Sequence, residues 1–167
     1  CSFCIIPRTR GEQRSLPPDA VLDEVRQLAA AGFREVVITG VQISSYRHGA
    51  CGLAELVERL LAETGVDRLR LTSIAPWAFD PRLLDLLGSG RICRHFHLSL
   101  QSGCDSTLRR MRRPYTADGF ADLAGVIRQR TPRAALTTDL IVGFPGETTE
   151  DFEHLRWFRY PDELLDA

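Results

Sequence analysis

Hydrophobic residues recur along the chain in two spacings, which predict amphipathic helices alternating with short apolar strands. Spacings of three and four residues predict helices over 19–31, 53–61, 80–87, 106–111 and 116–130, and another that begins at 148. Short runs of apolar or alternating residues predict strands over 35–39, 68–73, 95–100 and 134–142. Pro17, Pro18 and Pro81 at helix starts, and Gly32 after the first helix, agree with these boundaries.

Strands separated by helices in this order indicate βαβ units and a parallel sheet, so the predicted fold class is α/β. Because crossovers between parallel strands are right-handed, two arrangements remain, an open doubly wound sheet and a (β/α) barrel. The periodicity does not choose between them. A length of 167 residues suits one domain with a buried core.

Polar residues occupy one face of the third and fourth predicted strands near their C-terminal ends. These polar positions are His97, Ser99 and Gln101, then Thr137 and Asp139. The opposite faces carry Phe96, Leu98 and Leu100, then Thr138, Leu140 and Val142. A parallel strand buried on both sides is nearly all apolar, so the polar faces are predicted to line a ligand site. The alternative is that these groups hydrogen-bond to one another within the core.

The net charge of −1 argues against a protein that binds nucleic acid through bulk positive charge. All 21 basic residues are Arg, which suits local bidentate recognition of phosphate, although a biased genome composition gives the same excess. The apolar runs are too short to cross a bilayer. Five cysteines are too few for a secreted disulfide scaffold, so a reducing cytoplasm is the expected compartment.

The first four residues form a C-x-x-C motif, with Cys1 and Cys4 as its cysteines. Its spacing suits a redox pair, part of a zinc site or two ligands of an iron–sulfur cluster. A thioredoxin-like pair opens a helix, whereas residues 5–11 are predicted to form a loop, which weakens the first option. A zinc site takes about four ligands, and the other three cysteines are isolated. A cluster with one more cysteine upstream remains open.

Five segments of the chain, taken in order and with their spacing, match the motifs of one protein family. They are CSFCIIPRTRG (1–11), EVVITGVQISSY (35–46), LRLTSIAPW (69–77), HLSLQSGCDSTLRRMRRPYT (97–116) and TTDLIVGFPGETTEDF (137–152). Together they resemble the radical S-adenosylmethionine methylthiotransferase family. The first segment resembles the end of that family's C-x-x-x-C-x-x-C signature, with an aromatic residue before the last cysteine.

The resemblance implies a partial (β/α) barrel of the radical S-adenosylmethionine type, with a [4Fe–4S] cluster bound in the loop after the first strand. Three thiolates hold three irons, and the fourth iron chelates S-adenosylmethionine, whose reductive cleavage yields a deoxyadenosyl radical. Cys1 and Cys4 are the implied metal ligands, and the third cysteine would lie four residues before Cys1. The implied cofactor-binding residues are Phe3, Thr39, Gly40, Ser73, Gln101, Asp139, Gly143 and Phe144. A second [4Fe–4S] cluster is expected only in the full-length protein.

The same strings also suggest a substrate. QSG at 101–103 resembles the members that act on tRNA rather than on a ribosomal protein. TSIAPW and RRPYT resemble the threonylcarbamoyladenosine tRNA methylthiotransferases, although Ala75 stands where that group usually has an acidic residue. The implied reaction adds a methylthio group to C2 of a modified adenosine next to the anticodon. The alternatives are an isopentenyladenosine or ribosomal-protein methylthiotransferase core and a non-catalytic α/β metal-binding module.

The implied partners are a tRNA anticodon stem-loop and an electron donor such as flavodoxin or ferredoxin, with no membrane. Candidate tRNA contacts are Arg109, Arg112, Arg113 and Tyr115, and the alternative for them is a solvated helix end. His95 and His97 are expected to line the core or the cofactor rather than to bind a metal. Cys51, Cys93 and Cys104 are expected to be ordinary free thiols.

The chain is predicted to contain an incomplete radical S-adenosylmethionine core over 1–152 and a truncated or divergent tail over 153–167. The N-terminal sulfur-donor cluster domain and the C-terminal RNA-binding domain of the family are expected to lie outside this chain. With two of three cluster ligands, the chain alone is expected to be inactive.

Overall fold

The computed structural model describes residues 1–156, which form a four-stranded parallel sheet, seven helices and a small hairpin. The strands are β1 (Glu35–Ile38), β2 (Arg47–His48), β3 (Cys51–Gly52), β4 (Arg68–Ile74), β5 (Ile92–Leu98) and β6 (Ala135–Thr137). The helices are α1 (Ile6–Arg10), α2 (Pro18–Ala30), α3 (Leu53–Glu63), α4 (Arg82–Leu86), α5 (Asp105–Arg110), α6 (Ala117–Arg130) and α7 (Thr149–Arg156). Short 3₁₀ turns cover Ile43–Ser45, Pro76–Ala78 and Leu87–Ser89.

The sheet has the order β1-β4-β5-β6, so its four strands are arranged in the order in which they occur along the chain. All neighbouring pairs are parallel, and the connections between them carry the helices. The antiparallel pair β2–β3 stands apart from this sheet. Sequential addition of parallel strands is the order of a (β/α) barrel. The predicted α/β fold with a parallel sheet is confirmed.

Helices α2, α3, α4 and α6 pack on one face of the sheet, where two apolar clusters form the core. One cluster contains Leu22, Val25, Val36, Leu56, Leu60, Val66 and Leu69. The larger one includes Leu71, Ile74, Phe96, Leu98, Leu100, Phe120 and Ile127. Val37, which points the other way from β1, is 48% exposed. A doubly wound sheet carries helices on both faces, so the one-sided packing indicates the barrel arrangement.

Two strand boundaries differ from the prediction. β5 begins three residues before the predicted start and ends at Leu98. The predicted strand 134–142 pairs in the sheet only over Ala135–Thr137, followed by a single bridge between Gln101 and Leu140. After β6 the Thr138 hydroxyl accepts the Leu100 N–H at 2.9 Å, so a side chain replaces the backbone acceptor of a continuing strand.

The apolar face predicted for the end of that strand is also wrong. Leu140 and Val142 are 51% and 60% exposed. β6 is an edge strand of the sheet within residues 1–156, so no further strand of the described chain covers this segment.

The loop predicted over residues 5–11 is wrong, because α1 occupies Ile6–Arg10. Pro7 lies in its first turn, where proline is compatible with helix, and the Thr9 hydroxyl donates to the Ile6 carbonyl at 3.3 Å. A helix therefore opens directly after the C-x-x-C motif. The predicted loop therefore no longer argues against a redox pair.

The predicted boundary at Phe152 falls inside α7, which continues to Arg156. The rest of the predicted tail, residues 157–167, lies outside the described residues. Within residues 1–156, every helix is too short or too polar to cross a bilayer.

Candidate functional site

The predicted cofactor-binding residues lie at or just beyond the C-terminal ends of the four sheet strands. Thr39 and Gly40 follow β1, Ser73 is near the end of β4, and Gln101 follows β5. Asp139 follows β6. In sheets of this topology ligands bind at the carboxyl edge, because the loops that meet there come from several strands. The structure thus brings these five residues to one edge of the sheet.

Two of these residues hold a backbone conformation that non-glycine residues rarely adopt. Ser73 has φ 60° and Gln101 has φ 74°. Such left-handed conformations cost about 1–3 kcal/mol each and concentrate at functional sites. Ser73 falls where the pairing of β4 with β5 shifts register, between Leu71 and Ile74. The pattern of the sequence predicted the face of both residues but gave no sign of this strain.

The backbone of Gln101 joins the end of β5 to the segment after β6. Its N–H donates to the Asp139 carbonyl at 2.9 Å, and its own carbonyl accepts the Ile141 N–H at 2.8 Å. Gln101 is only 8% exposed. The left-handed turn therefore fixes where Asp139 is presented at the edge of the sheet.

Thr39 and Gly40 form the corresponding end of β1. The Thr72 hydroxyl donates to the Thr39 hydroxyl at 2.9 Å across the two strands. Beyond them, the Ala75 N–H donates to the Ser44 hydroxyl at 2.7 Å and ties the loop after β1 to the loop after β4. Both Thr39 and Gly40 are exposed, so their polar groups are accessible to a ligand.

The sheet face that the helices leave uncovered carries paired polar side chains. His95 Nε2 lies 2.9 Å from the Thr137 hydroxyl, and His97 Nε2 lies 3.3 Å from an Asp139 carboxylate oxygen. These groups contact one another, as the alternative predicted, but on the uncovered face rather than within the core, and the Asp139 side chain stays 68% exposed. That this face lines a ligand site stays a prediction. Burial, with help from the nearby charges of Arg70 and His97, lowers the pKa of His95.

A charged group that the sequence analysis did not identify lies lower on the same face. The Glu35 carboxylate accepts from Arg70 at 2.7 Å and from Arg68 at 2.9 Å. Hydrogen bonds from Arg70 and then Arg68 lower the pKa of Glu35 to about 2. The alternation of Arg and Leu over 68–71 was the available signal, since it puts both guanidiniums on one face.

The cysteine loop sits against the end of α5. The Ser2 N–H donates to the Met111 carbonyl at 3.0 Å, and the Ser2 hydroxyl donates to the Arg110 carbonyl at 2.8 Å. Cys1 is exposed and Cys4 is partly exposed, and neither forms a disulfide. The two thiols therefore stand on an ordered loop where an added ligand can reach them.

The predicted cofactor residues Phe3 and Phe144 contact each other edge to face, with ring centroids 5.9 Å apart. Phe144 belongs to the loop Gly143–Glu147, where Gly143 has φ 74° and open space around its Cα. The Glu147 carboxylate accepts the N–H groups of Gly143 and Phe144 and so closes the loop. Glycine at Gly143 both permits the turn and leaves the backbone accessible to a ligand.

The residues present fit a cluster in part. Cys1 and Cys4 supply two thiolates on one loop, whereas no group of three or more His, Cys, Asp or Glu within residues 1–156 is arranged to hold a metal ion. Cys51 and Cys93 lie on β3 and β5, and buried Cys104 contacts Ser106 and Asp151. The described part thus offers two thiols on one loop and does not offer a complete zinc site, and their role as cluster ligands stays a prediction.

The candidate tRNA contacts differ in their surroundings. Arg109 and Arg112 are exposed near the end of α5. Arg113 is half-buried between the rings of Phe3 and Trp77. The Tyr115 hydroxyl donates to the carbonyls of Ser99 and Leu100, and burial raises its pKa to about 12. A tRNA contact at these four residues stays a prediction.

Comparison with known proteins matches residues 1–158 to the Radical SAM superfamily. Three similar proteins are called tRNA-2-methylthio-N(6)-dimethylallyladenosine synthase. The one from Symbiobacterium thermophilum is 40% identical over 163 residues, covering 92% of this chain and 35% of that protein. Those from Anaeromyxobacter dehalogenans and Pelotomaculum thermopropionicum are 44% identical over 154 residues and 41% identical over 156 residues. They cover 92% and 91% of this chain, and 33% and 35% of those proteins.

The chain therefore spans about a third of the length of these relatives. Their name contains dimethylallyladenosine, so the predicted closest similarity to the threonylcarbamoyladenosine type is not confirmed, and the isopentenyladenosine alternative is better supported. Proteins of the matched superfamily use a [4Fe–4S] cluster and S-adenosylmethionine, and methylthiotransferases carry a second cluster. Because the superfamily match covers nearly the whole chain, the chain belongs to the Radical SAM superfamily.

Proposed function

We propose that this chain is the catalytic core of a tRNA methylthiotransferase, which adds a methylthio group to C2 of a modified adenosine next to the anticodon. The observation that carries the proposal is the meeting of the C-x-x-C loop with the carboxyl edge of the sheet, through the contact of Phe3 with Phe144. The names of the relatives, which share about 40% of their residues with this chain over the aligned region, point to the same reaction.

In this proposal each candidate site residue has a role that its position allows. The thiolates of Cys1 and Cys4 are two of the three cluster ligands, and the third comes from a cysteine upstream. When bound, the cluster supplies the electron that cleaves S-adenosylmethionine and generates the radical. Thr39, Gly40 and Asp139 offer exposed polar groups at the edge where the methionine part of the cofactor would lie.

The adenosine part of the cofactor would lie on the opposite side of the edge. Phe3 offers an aromatic ring that is 41% exposed, and the open backbone at Gly143 allows close approach of a planar base. The left-handed residues Ser73 and Gln101 keep the floor between these two parts in one conformation. A preorganised floor lowers the cost of ordering the cofactor on binding.

The modified adenosine in our proposal carries the dimethylallyl group, because the relatives named above are dimethylallyladenosine synthases. The tRNA anticodon stem-loop would meet the exposed Arg109 and Arg112, whose guanidiniums suit phosphate contacts. An electron donor such as flavodoxin or ferredoxin would reduce the cluster.

The test uses a polypeptide in which this chain is joined to the regions of a relative that it does not cover. The polypeptide is expressed in a bacterial strain that lacks 2-methylthio nucleosides in its tRNA. Mass spectrometry of the digested tRNA is expected to show the 2-methylthio form of dimethylallyladenosine. A matched pair of variants, Cys4→Ala and Cys51→Ala, is expected to abolish and to retain the product, respectively.

Appearance of the threonylcarbamoyladenosine product instead would refute the substrate but retain the reaction. Absence of any 2-methylthio nucleoside, with an intact cluster in the protein, would refute the reaction itself. Methylthiolation of a ribosomal protein under the same conditions would support the other substrate class.

A further inference from the structure

The C-terminal end of α5 forms a cradle for the cysteine loop. Arg112 adopts φ 56°, its N–H donates to the Arg109 carbonyl at 3.0 Å, and the Arg113 N–H donates to the Leu108 carbonyl at 2.9 Å. This pair of bonds is the Schellman ending of a helix. It leaves the carbonyls of Arg110 and Met111 free for other donors.

Ser2 supplies those donors. Its hydroxyl and its N–H bond to the Arg110 and Met111 carbonyls at 2.8 and 3.0 Å. Because Ser2 stands between Cys1 and Cys4, the C-x-x-C loop itself completes the hydrogen bonding of α5. The left-handed turn at Arg112 then sends the next side chain, Arg113, across the same loop.

The guanidinium of Arg113 lies between two aromatic rings. Its central carbon is 5.5 Å from the ring centre of Phe3 and 5.2 Å from that of Trp77. Both distances are within the range of cation–π attraction. Arg113 Nε is buried and has no hydrogen-bond partner within residues 1–156, so the ring faces are the main surroundings of this group.

The far side of this stack is anchored in the core. The Trp77 ring lies parallel to the Tyr115 ring at 5.5 Å, with an angle of 12° between the planes. The Tyr115 hydroxyl donates to the carbonyls of Ser99 and Leu100 at 2.8 and 2.5 Å, directly after β5. The stack thus runs from the end of a core strand, through Trp77 and Arg113, to the cysteine loop.

We propose that Arg113 is a positioning residue that fastens the cysteine loop to the edge of the sheet. A planar guanidinium can stack on two aromatic rings at once. The ammonium of lysine stacks less well because it is compact, and a neutral side chain lacks the charge that the rings attract. The contact between Arg113 and the cysteine loop forms within this chain and does not depend on the proposed function. Its purpose, to present Cys1 and Cys4 to a cluster and Phe3 to the cofactor, rests on the proposed function.

This role accounts for the difference between Arg113 and the neighbouring arginines. Arg109 and Arg112 are exposed, whereas Arg113 is half-buried and its guanidinium lies within 5.5 Å of the centres of two aromatic rings. Arg109 lies on α5 and contacts neither ring, so it serves as a matched control of the same residue type.

The experiment measures alkylation of individual cysteines in the full 167-residue chain, reduced and without added iron. Iodoacetamide is added in short pulses, and mass spectrometry gives the rate at each cysteine. Arg113→Gln is expected to speed alkylation of the partly exposed Cys4 by about tenfold, as the loss of two cation–π contacts predicts. Arg109→Gln is expected to leave that rate unchanged, and Arg113→Lys to restore part of the protection.

Cys51, in the separate β2–β3 hairpin, is the internal reference, and its rate is expected to stay constant in every variant. An unchanged Cys4 rate in Arg113→Gln would overturn the proposal. Equal acceleration at Cys4 and Cys51 would also overturn it, because Arg113 would then act on the stability of the whole fold.

If Arg113→Gln does not fold, Phe3→Leu removes the other partner of the same contact from an exposed loop. Acceleration at Cys4 alone is again the expected result, and no acceleration would refute the proposal. The readout needs neither cluster nor tRNA, so failure of the proposed function does not change it.

Discussion

The left-handed turn at Arg112 predicts that glycine at this position stabilises the chain. Arg112 has φ 56°, and this conformation costs a non-glycine residue roughly 1–2 kcal/mol. Glycine removes that cost but gives the unfolded chain more freedom, which offsets about 0.5–1 kcal/mol. The difference predicts that Arg112→Gly raises the free energy of unfolding by about 0.5–1 kcal/mol.

The matched control is Arg109→Gly, three residues earlier in α5. Arg109 is exposed and has the ordinary right-handed helical backbone, so glycine is expected to lower stability there by about 1 kcal/mol. Replacing Arg by Gly is thus expected to lower the free energy of unfolding within the helix and to raise it just after the helix ends.

The assay is thermal unfolding of the 167-residue chain followed by circular dichroism, with urea unfolding as a second measurement. For a chain of this size, Arg112→Gly is expected to raise the midpoint by about 1–4 °C, and Arg109→Gly to lower it by about 2–4 °C. If both variants lose stability to the same extent, Arg112 is not in the left-handed conformation and the Schellman ending of α5 is wrong.

Three further predictions concern the anchors of the site. Tyr115→Phe removes the hydroxyl that donates to Ser99 and Leu100, and urea unfolding is expected to show a loss of about 1–2 kcal/mol, more than for Tyr46→Phe, whose hydroxyl bonds a loop carbonyl near the surface. Because burial lowers the pKa of His95 from 6.5, the folded chain favours the neutral imidazole, and the free energy of unfolding is expected to decline as the pH falls below about 6.5. His95→Gln is expected to flatten this decline between pH 7 and 5, and an unchanged profile would contradict the assignment. Asp151→Asn weakens the reciprocal bonds with Thr148 and the ion pair with Arg110 at 2.6 Å, so amide exchange across α7 is expected to accelerate, whereas Asp85→Asn leaves it unchanged.

Helices with a strong amphipathic pattern were predictable from the sequence to within about two residues. α2, α3 and α6 each bury one apolar stripe, so the three- and four-residue spacing is visible and the boundary residues are ordinary. The start of α7 was also predicted from its capping pattern, and the structure adds the reciprocal bonds between Thr148 and Asp151.

The end of β6 and the whole of α1 were not predictable, for two different physical reasons. After Thr137 the chain keeps an alternating pattern but leaves the sheet, because the Thr138 hydroxyl takes over the Leu100 N–H. The alternating pattern is the same whether a side chain or the backbone of the next strand accepts that N–H, so the sequence does not show where the strand ends. The five residues of α1 are too few to show any helical period.

At the candidate site, the sequence predicted the positions of some residues but not how they are held. The face of Gln101 and Asp139 followed from strand parity, and their meeting at one edge followed from the parallel sheet. The stack of Phe3, Arg113 and Trp77 joins three loops that are distant in sequence, so no local pattern contains it. The left-handed Ser73 and Gln101 were equally hidden, because neither residue type favours that conformation.

The most direct test of the central claim is cleavage of S-adenosylmethionine by a polypeptide in which this chain follows the residues that carry the third cysteine. After anaerobic reconstitution with iron and sulfide and reduction with dithionite, we expect deoxyadenosine to form. We expect it to be lost in Cys1→Ala and Cys4→Ala and kept in Cys93→Ala. A reconstituted protein that holds its cluster yet releases no deoxyadenosine, or one whose activity survives Cys4→Ala, would contradict the assignment of the C-x-x-C loop as the radical-generating site.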